Sequence, residues 1–377
     1  MKWEKKKLGE IIQLEYGKPL SDSLRNPQGK YPVYGANGEK DRTDAFYYNK
    51  PSIIIGRKGS AGEINLTEHA FWPLDVTYFV TYNEKEDDLQ FLYYLLTILN
   101  LPSLAKGVKP GINRNEVYNI EINHPSLPEQ QRIVKILDET FAAIAKAKEN
   151  AEKNLANARE VYESYLQNVF ATPGKDWGMD ILERLTSKIG SGATPRGGER
   201  SYKSEGIALI RSLNVHDYGF RIKDIAYLDK EQAEKLSNVT LEKDDVLLNI
   251  TGASVARCCI VPESILPARV NQHVSILRCK KEKLLPDFLH YLLISKQYKD
   301  RLLRTGEAGA TRQALTKAQL ENFSIFYPIL SQQQAIVSKL DILSTETKKL
   351  EALYKQKLSA LEELKKSMLK KAFKGEL

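Results

Sequence analysis

A polar stretch, Leu127-Pro-Glu-Gln-Gln-Arg-Ile-Val-Lys-Ile-Leu-Asp-Glu-Thr-Phe141, opens a long segment that contains no glycine and has no proline after Pro128. A second copy begins at Leu330 as Leu-Ser-Gln-Gln-Gln-Ala-Ile-Val, and the match continues at one constant offset as far as Phe170 and Phe373. Each copy follows a segment of globular composition. The sequence therefore predicts a duplication, in which a globular segment leads into a long helix.

Length and composition restrict the class of protein. The 377 residues are enough for two domains, and a hydrophobic fraction of 42% is ordinary for a soluble protein. No apolar run is long enough for a membrane helix and the first residues hold no apolar signal core, so we expect neither membrane association nor export. Cys258, Cys259 and Cys279 form no CxxC pair, which predicts a reducing cytoplasm and no structural zinc. The net charge of +8 is compatible with a nucleic-acid partner.

The globular segments, residues 1–126 and 172–329, share one plan. Ser52–Gly56 has the short apolar run of a buried strand, bounded by proline and glycine. Phe91–Leu96 has helical periodicity, and Phe288–Leu293 repeats its pattern in the second segment. We therefore predict an α+β fold in which one domain occurs twice, related by a pseudo-two-fold internal repeat.

The two long segments, 127–171 and 330–377, carry a seven-residue apolar repeat, which is typical of a coiled coil. The first leads from one globular segment to the other and the second returns, so we expect antiparallel helices. The alternative is two amphipathic helices that each pack on their own domain. The predicted seam consists of Leu137, Phe141, Ile144, Ala151, Leu155, Tyr162, Tyr165, Leu340, Leu343, Leu350, Tyr354, Leu361, Leu364 and Met368.

These repeated segments carry a resemblance to a known family. Together with the closing run from Lys365 to Leu377, they look like the two conserved regions of the specificity subunits of type I restriction–modification systems. The globular halves look like that family's two target recognition domains, so the resemblance covers the whole chain. The second copy departs from the first by having Ser331 and Gln332 in place of Pro128 and Glu129. A proline in the first helical turn is favourable but dispensable, so the departure does not affect the assignment.

The resemblance implies a non-catalytic reader of double-stranded DNA. Target recognition domains would occupy residues 1–126 and 172–329, and each would read one half of an asymmetric, bipartite site. The helices at 127–171 and 330–377 would set the gap between the halves and bind two modification (methyltransferase) subunits. Restriction (translocase–nuclease) subunits would join this core. S-adenosylmethionine, ATP and Mg would then belong to the partner subunits, with no cofactor in this chain.

Motifs for catalysis are missing from the sequence itself. It contains no Pro-Pro pair of the kind that adenine methyltransferases use and no GxxxxGK[ST] phosphate loop. After Gly190-Ser-Gly192, Pro195 stands where the third glycine of GxGxxG should be. The five histidines share no metal-ligand spacing. We therefore expect no catalytic residues and no metal site.

DNA recognition requires cations for phosphates and planar polar groups for base edges. Loops of the first globular segment supply both kinds of side chain. The alternative is that these are solvated loop charges. The candidates are Arg57, Lys58, Lys106, Lys109, Asn113 and Arg114.

The second segment has corresponding candidates, and one loop lies opposite the Lys109 loop in the repeat. Arginine suits guanine, whereas asparagine and glutamine suit adenine. For Asn271 and Gln272 the alternative is hydrogen bonding that holds a turn. The candidates are Arg196, Arg200, Arg211, Asn214, Arg269, Asn271, Gln272, Thr311, Arg312 and Gln313.

Two other functional classes stay open. A duplicated nucleic-acid-binding or adaptor protein without a restriction system would be favoured by aromatic stacking platforms, but the 19 tyrosines do not form such a ladder. An enzyme fused to a coiled coil is disfavoured by the missing motifs. Salt-dependent binding to duplex rather than single strands would separate the DNA reader from an RNA-binding protein.

The antiparallel arrangement also predicts which seam residues face each other. In the preferred register Ala151 lies opposite Tyr354 and Ala158 lies opposite Thr347, so that a large side chain faces a small one. A shift by one heptad would place Ala151 opposite Thr347 instead.

Engineered disulfides test this register. In a background that lacks the three native cysteines, Ala151→Cys with Tyr354→Cys should oxidise readily, because facing seam positions bring the two sulfur atoms within bonding range. Ala151→Cys with Thr347→Cys is the control and should stay reduced on a non-reducing gel. Cross-linking of the control pair alone would establish the shifted register.

Overall fold

The computed structural model of the protein describes residues 3–307 and 314–377. The chain forms two compact units, each of which contains part of both long helices. The first unit comprises Met1–Lys153 and Tyr354–Leu377, and the second comprises Asn154–Leu353. Within the described residues, no helix combines the length and the apolar composition that crossing a membrane requires.

The first globular segment is mainly β-structure and leads into an unbroken long helix. In chain order its strands and helices are β1 Glu4–Lys7, β2 Ile12–Tyr16, β3 Tyr31–Gly35, β4 Gly38–Thr43, β5 Ser52–Gly56, β6 Ile64–Thr67, β7 Trp72–Pro73, β8 Thr77–Tyr82, α1 Leu89–Ile98, α2 Arg114–Tyr118, β9 Glu121–His124 and the long helix α3 Leu127–Ala171.

The second globular segment is longer and ends in a second long helix. Its elements are β10 Gly178–Ile181, α4 Leu182–Leu185, β11 Thr186–Ser191, β12 Ile207–Ile210, β13 Val215–His216, β14 Gly219–Phe220, β15 Ala226–Leu228, α5 Lys230–Glu234, β16 Val246–Asn249, β17 Cys258–Ile260, β18 Ala268–Val270, β19 Val274–Cys279, α6 Pro286–Ile294, α7 Lys296–Glu307, α8 Lys317–Glu321, β20 Ser324–Tyr327 and the long helix α9 Leu330–Ala372.

Sheet topology confirms the predicted α+β duplication. In the first unit an antiparallel sheet has the strand order β2-β8-β5-β6, a smaller sheet has the order β4-β3-β7, and β1 pairs with β9. The second unit repeats these as β11-β19-β16-β17, β15-β12-β18 and β10-β20. A parallel pairing also recurs, between β3 and β7 in the first unit and between β12 and β18 in the second. The second unit adds the β13–β14 hairpin.

A buried glutamine fixes the start of α3. The Gln130 side chain is fully buried, and its Oε1 accepts a hydrogen bond from the backbone N–H of Asp88 at 2.9 Å. Its Nε2 donates to the carbonyl oxygens of Glu86 at 3.1 Å and Pro125 at 3.0 Å. Asp88 is the residue that caps α1, so one amide joins the beginnings of two helices. Such buried backbone groups need partners, because leaving them unpaired is costly.

The second copy of the motif does the same with Gln333. This fully buried side chain accepts from the N–H of Leu285 at 2.8 Å and donates to the carbonyls of Lys283 at 2.9 Å and Pro328 at 2.8 Å. Leu285 immediately precedes α6, as Asp88 precedes α1. The repeated glutamine thus has one structural role in both units.

A tyrosine–aspartate pair provides a second tether in each unit. The Tyr94 hydroxyl on α1 donates to Asp138 on α3 at 2.5 Å, and the Tyr291 hydroxyl on α6 donates to Asp341 on α9 at 2.6 Å. Burial is the main cause that raises the pKa of Tyr94, to about 12, so this phenol stays a donor at neutral pH. Each long helix is therefore joined to its globular segment by polar contacts as well as by apolar packing.

Most predicted seam residues are shielded from solvent. Leu137, Ile144, Ala151, Tyr162 and Leu340 are buried. Phe141, Leu155, Tyr165, Leu343, Tyr354, Leu361 and Met368 are half-buried.

Two seam predictions on α9 are wrong. Leu350 and Leu364 are 37% and 46% exposed. Glu351 and Leu358, on the same helix, are half-buried instead. The shielded positions on α9 still repeat every seven residues, as Ser344, Glu351 and Leu358 do, so this column of the seam lies one position later than predicted. The two columns lie on neighbouring faces of the same helix, and the positions of the leucines did not distinguish them.

Contacts between the helices support the preferred register. In the second unit the Thr347 hydroxyl donates to the carbonyl of Ala158 at 3.3 Å, which pairs these two residues as predicted and contradicts the register shifted by one heptad. The Lys148 ammonium reaches the Glu362 carboxylate at 2.8 Å in the first unit. Lys148 therefore lies at the edge of the seam, with its charge paired outside it.

We predict that Gln130→Leu lowers the free energy of unfolding of the first unit by about 1–3 kcal/mol, because it leaves buried backbone groups without partners. Hydrogen exchange at the Asp88 amide should accelerate, and the thermal midpoint should fall. The control is Gln131→Leu at the exposed neighbouring position, which should change stability by less than about 0.5 kcal/mol. Equal effects of both variants would refute the role of the buried amide.

Candidate nucleic-acid interface

In the first unit, two loops that are distant in sequence form one surface. The Ile112 N–H donates to the Arg57 carbonyl at 3.0 Å, and the Gly59 N–H donates to the Pro110 carbonyl at 2.9 Å. Lys106 and Gly111 exchange backbone hydrogen bonds at 3.0 and 3.1 Å, which closes the second loop into a tight turn. We call the surface formed by residues 57–59 and 106–114 the first loop surface.

An exposed tyrosine organises the cations of the first loop surface. The Arg114 guanidinium lies 5.0 Å from the Tyr16 ring centroid and that of Arg57 lies 5.4 Å from it, both within cation–π range. Tyr16 is 45% exposed, and its ring meets the buried Tyr78 edge-on at 5.1 Å. Arg57 is held further by two hydrogen bonds to the Asp75 carbonyl, at 2.6 and 3.1 Å. These guanidinium groups are thus positioned before any ligand arrives.

The remaining candidates of the first segment fall into two groups. The ammonium groups of Lys58 and Lys109 are exposed and have no hydrogen-bond or ion-pair partner within the described chain. Lys106 instead pairs with Glu116 at 2.6 Å, and the Asn113 side chain caps α2 by accepting from the Asn115 N–H at 2.9 Å. The free lysines are therefore the stronger candidates for phosphate contacts.

The second unit repeats the loop pairing with different side chains. The Leu315 N–H donates to the Ile250 carbonyl at 2.8 Å, as the Ile112 N–H donates to the Arg57 carbonyl. Thr251 forms an isolated β-bridge with Ala314, as Lys58 does with Gly111. The candidates Thr311, Arg312 and Gln313 lie outside the described residues.

Two asparagines predicted to read bases are internal. Asn214 is fully buried, accepts from the Arg211 N–H at 3.0 Å and donates to the Arg221 carbonyl at 3.0 Å. Asn271 is 4% exposed and accepts from the His273 N–H at 3.0 Å. Both amides hold turns, so the turn-holding alternative stated for Asn271 is the one that the structure supports.

The arginine candidates of the second segment differ in availability. Arg269 donates to the Ala233 carbonyl at 3.1 Å, and burial lowers its pKa. Arg211 pairs with Glu199 at 3.1 Å and donates to the Asp224 carbonyl at 2.7 Å. Arg196 and Arg200 are exposed, and their guanidinium groups lack partners within the described chain. These two therefore remain available for a ligand.

Gln272 belongs to a hydrogen-bonded chain that sequence reasoning did not predict. The Thr194 hydroxyl donates to the Gln272 Oε1 at 2.5 Å, and the Gln272 Nε2 lies 3.1 Å from the His273 Nε2. The His273 Nδ1 in turn contacts the Thr251 hydroxyl. Two features of the sequence could have indicated this chain: His273 directly follows Gln272, and Thr251 matches Lys58 in the repeat. Tyr16 was also missed, because an aromatic residue at a strand end has no distinctive pattern.

The donor set of these loops does not suit a metal ion. Among residues 3–307 and 314–377, no three His, Cys, Asp or Glu side chains are grouped as metal ligands. What the loops offer is cations, hydroxyls and amides, which bind anions and hydrogen-bonding edges.

Comparisons with known proteins agree with this arrangement. A family model described as the type I restriction modification DNA specificity domain matches residues 1–153 and 189–362. The MjaVIII type I restriction enzyme specificity subunit of Methanocaldococcus jannaschii is 25% identical over 367 residues, which cover 90% of this chain and 85% of that protein. A putative type I restriction enzyme specificity subunit of Haemophilus influenzae is 26% identical over 343 residues, covering 88% and 84%.

Solved structures share the fold. The HsdS subunit of Thermoanaerobacter tengcongensis aligns with a TM-score of 0.66 at 20% identity, covering 100% of this chain and 97% of that one. A chain from a study of complex assembly and conformational transition of the type I R-M system aligns with a TM-score of 0.75 at 19% identity, covering 100% and 98%.

The free lysines of the first loop surface provide a test. We predict that the double variant Lys58→Gln with Lys109→Gln weakens binding to every duplex sequence alike and lowers the slope of log affinity against log salt by about 2, or about 1 per phosphate contact. The melting temperature should not change, because neither ammonium group has a partner among the residues that the structure describes. Lys50→Gln, which removes a cation already paired with Glu84 at 2.7 Å, is the control for general charge effects. A lower melting temperature with an unchanged salt slope would make the lysines structural.

Proposed function

This chain belongs to the type I restriction–modification DNA specificity family, and on that premise we propose that it is the sequence-recognition subunit of such a complex. Each globular segment, residues 1–126 and 172–329, acts as a target recognition domain for one half of an asymmetric, bipartite site in double-stranded DNA. The first loop surface and its counterpart around Thr251 are the regions that contact the DNA.

One observation carries the proposal: the same specificity domain is present twice. The family model matches both halves of the chain, and both units pair the same two loops through equivalent backbone hydrogen bonds. A site read by one such protein would have two halves, and it would be asymmetric because the side chains on the two sets of loops differ. The first loop surface carries Arg57 and Lys58 where the second unit has Ile250 and Thr251.

The partners follow from the family. We propose that two modification (methyltransferase) subunits bind the long helices and that restriction (translocase–nuclease) subunits complete the complex. The chain is non-catalytic by itself and supplies specificity to the methylation and cleavage reactions. S-adenosylmethionine, ATP and Mg belong to those partners. A complex that methylates the DNA of its own cell acts in the cytoplasm.

The long helices have a further role in this proposal, which is to set the gap between the two half-sites. Its support is that α3 and α9 are unbroken and that each is tethered at its start by a buried glutamine. A helix that is fixed at its start and unbroken places its far end at a defined distance, because an α-helix advances by a fixed rise per residue.

The decisive experiment combines domain exchange with methylome sequencing. In cells carrying this gene and its partners, replacing residues 1–126 with the equivalent segment of another specificity subunit should change one half of the methylated motif. The other half and the gap should stay the same, because separate loops read them. Exchange of residues 172–329 is the matched control and should change only the opposite half.

Deletion of the gene should remove the bipartite motif altogether. If either exchange altered both halves together, the two domains would not read independently. If no motif depended on the gene, the duplicated adaptor would become the better account.

A further inference from the structure

A shallow depression, called the cavity below, lies beside the loop pairing of the second unit. The cavity has a volume of about 430 Å³, and its lining includes Ser212, Thr251, Gly252, Ser254, Arg257 and His273. Its walls are joined by Asn249, whose Nδ2 donates to the Ser212 carbonyl at 2.9 Å and to the Ser254 hydroxyl at 3.2 Å. None of the described lining residues is acidic.

Arg257 and His273 are the basic residues among the described lining residues, and the charge of Arg257 is not compensated within the described chain. The residue is half-buried, and its guanidinium has no hydrogen-bond or ion-pair partner within the described chain. Its backbone is fixed, because the carbonyl accepts from the Asn249 N–H at 2.8 Å and the N–H donates to the Ser254 carbonyl at 3.1 Å. The nearby Asp217 carboxylate is already occupied by the Cys258 N–H and by Lys299. Partial burial of an unpaired guanidinium is unfavourable, so the site favours an anionic acceptor.

The hydrogen-bonded chain described above directs a second donor toward the cavity. Because Thr194 donates to the Gln272 Oε1, the amide nitrogen of Gln272 is the donor to the His273 Nε2. For a neutral imidazole this arrangement assigns the ring proton to Nδ1, which donates to the Thr251 oxygen. The Thr251 hydroxyl proton is left to donate elsewhere. The same holds for Ser254, whose oxygen accepts from Asn249.

We propose that this cavity binds one phosphodiester group of the DNA backbone, with Arg257 as the ion-pairing residue and Thr251 and Ser254 as hydroxyl donors. The proposal rests on the proposed function and adds to it a contact that carries no sequence information. Shape decides between a phosphate and a base edge. Phosphate oxygens protrude from the duplex and can reach side chains in a shallow depression, whereas base edges are recessed in the grooves and require a protruding side chain.

The first unit does not share this site. Its Gly56 N–H donates to the Glu63 carbonyl at 2.8 Å in the way that Asn249 donates to Arg257. A carboxylate therefore occupies the position equivalent to Arg257, and it would repel a phosphate. The phosphate contact is specific to the half-site that the second unit reads.

The test uses the full chain assembled with its modification subunits, and measures affinity for a native-site duplex and for an unrelated duplex across a salt series. Arg257→Gln should weaken binding to both duplexes by the same factor, roughly tenfold at low salt, the loss expected for about one charge-assisted contact. The slope of log affinity against log salt should decrease by about 1. Arg257→Lys keeps the charge but loses the forked donors, so it should keep the slope and lose part of the affinity.

Arg184→Gln is the charge-matched control. Arg184 is exposed and lies just before Thr186, where β11 begins. The cavity lies near the opposite end of β11, where Ser191 pairs with Ser275. The control should retain the salt slope of the unmodified complex.

Three results would overturn the proposal. Loss of affinity for the native duplex alone, with an unchanged slope, would make Arg257 a base reader. Unchanged affinity of Arg257→Gln for both duplexes would show that the cavity does not contact DNA, while the proposed function stands. If the unmodified complex bound neither duplex, the proposed function would fail first and the phosphate contact with it.

Discussion

Each long helix carries a buried glutamine in its first turn, and the arrangement of each unit depends on the hydrogen bonds of that side-chain amide. Gln130 and Gln333 are fully buried, and each pairs with one backbone N–H and two carbonyls. A side chain with one acceptor and two donors is required for this, and an aliphatic residue of the same size would leave all three groups unpaired. The amide thereby fixes the long helix against the shorter helix of its globular segment.

A second tether extends this constraint along the helix. Tyr94 with Asp138, and Tyr291 with Asp341, lie about two turns beyond the glutamines and join the same pairs of helices. Two polar contacts about two turns apart restrict both the position and the rotation of the long helix. Apolar packing around Leu137 and Leu340 supplies the stabilisation, whereas the polar pairs determine which arrangement is stabilised.

In the loop surfaces of both units, the backbone and the side chains have separate roles. Their pairing uses backbone groups, as between Ile112 and Arg57 or between Leu315 and Ile250, so it persists when the side chains change. Side chains that hold no backbone group in place are free to differ between the two units. In the proposed function, this lets one scaffold read two different half-sites.

The sequence by itself determined the duplication, the α+β class, the two long helices and the strand Ser52–Gly56, because local periodicity and the positions of glycine and proline specify them. It also indicated where cations are concentrated. Only the tertiary structure decided which of them are free, since Lys109 and Lys106 lie in the same loop but, within the described residues, only Lys106 meets a carboxylate. Asn214 and Asn271 were DNA-binding candidates but are buried, and Arg257, whose charge has no partner within the described chain, was not a candidate. The partners of a polar side chain are set by contacts between distant segments, and no local pattern encodes them.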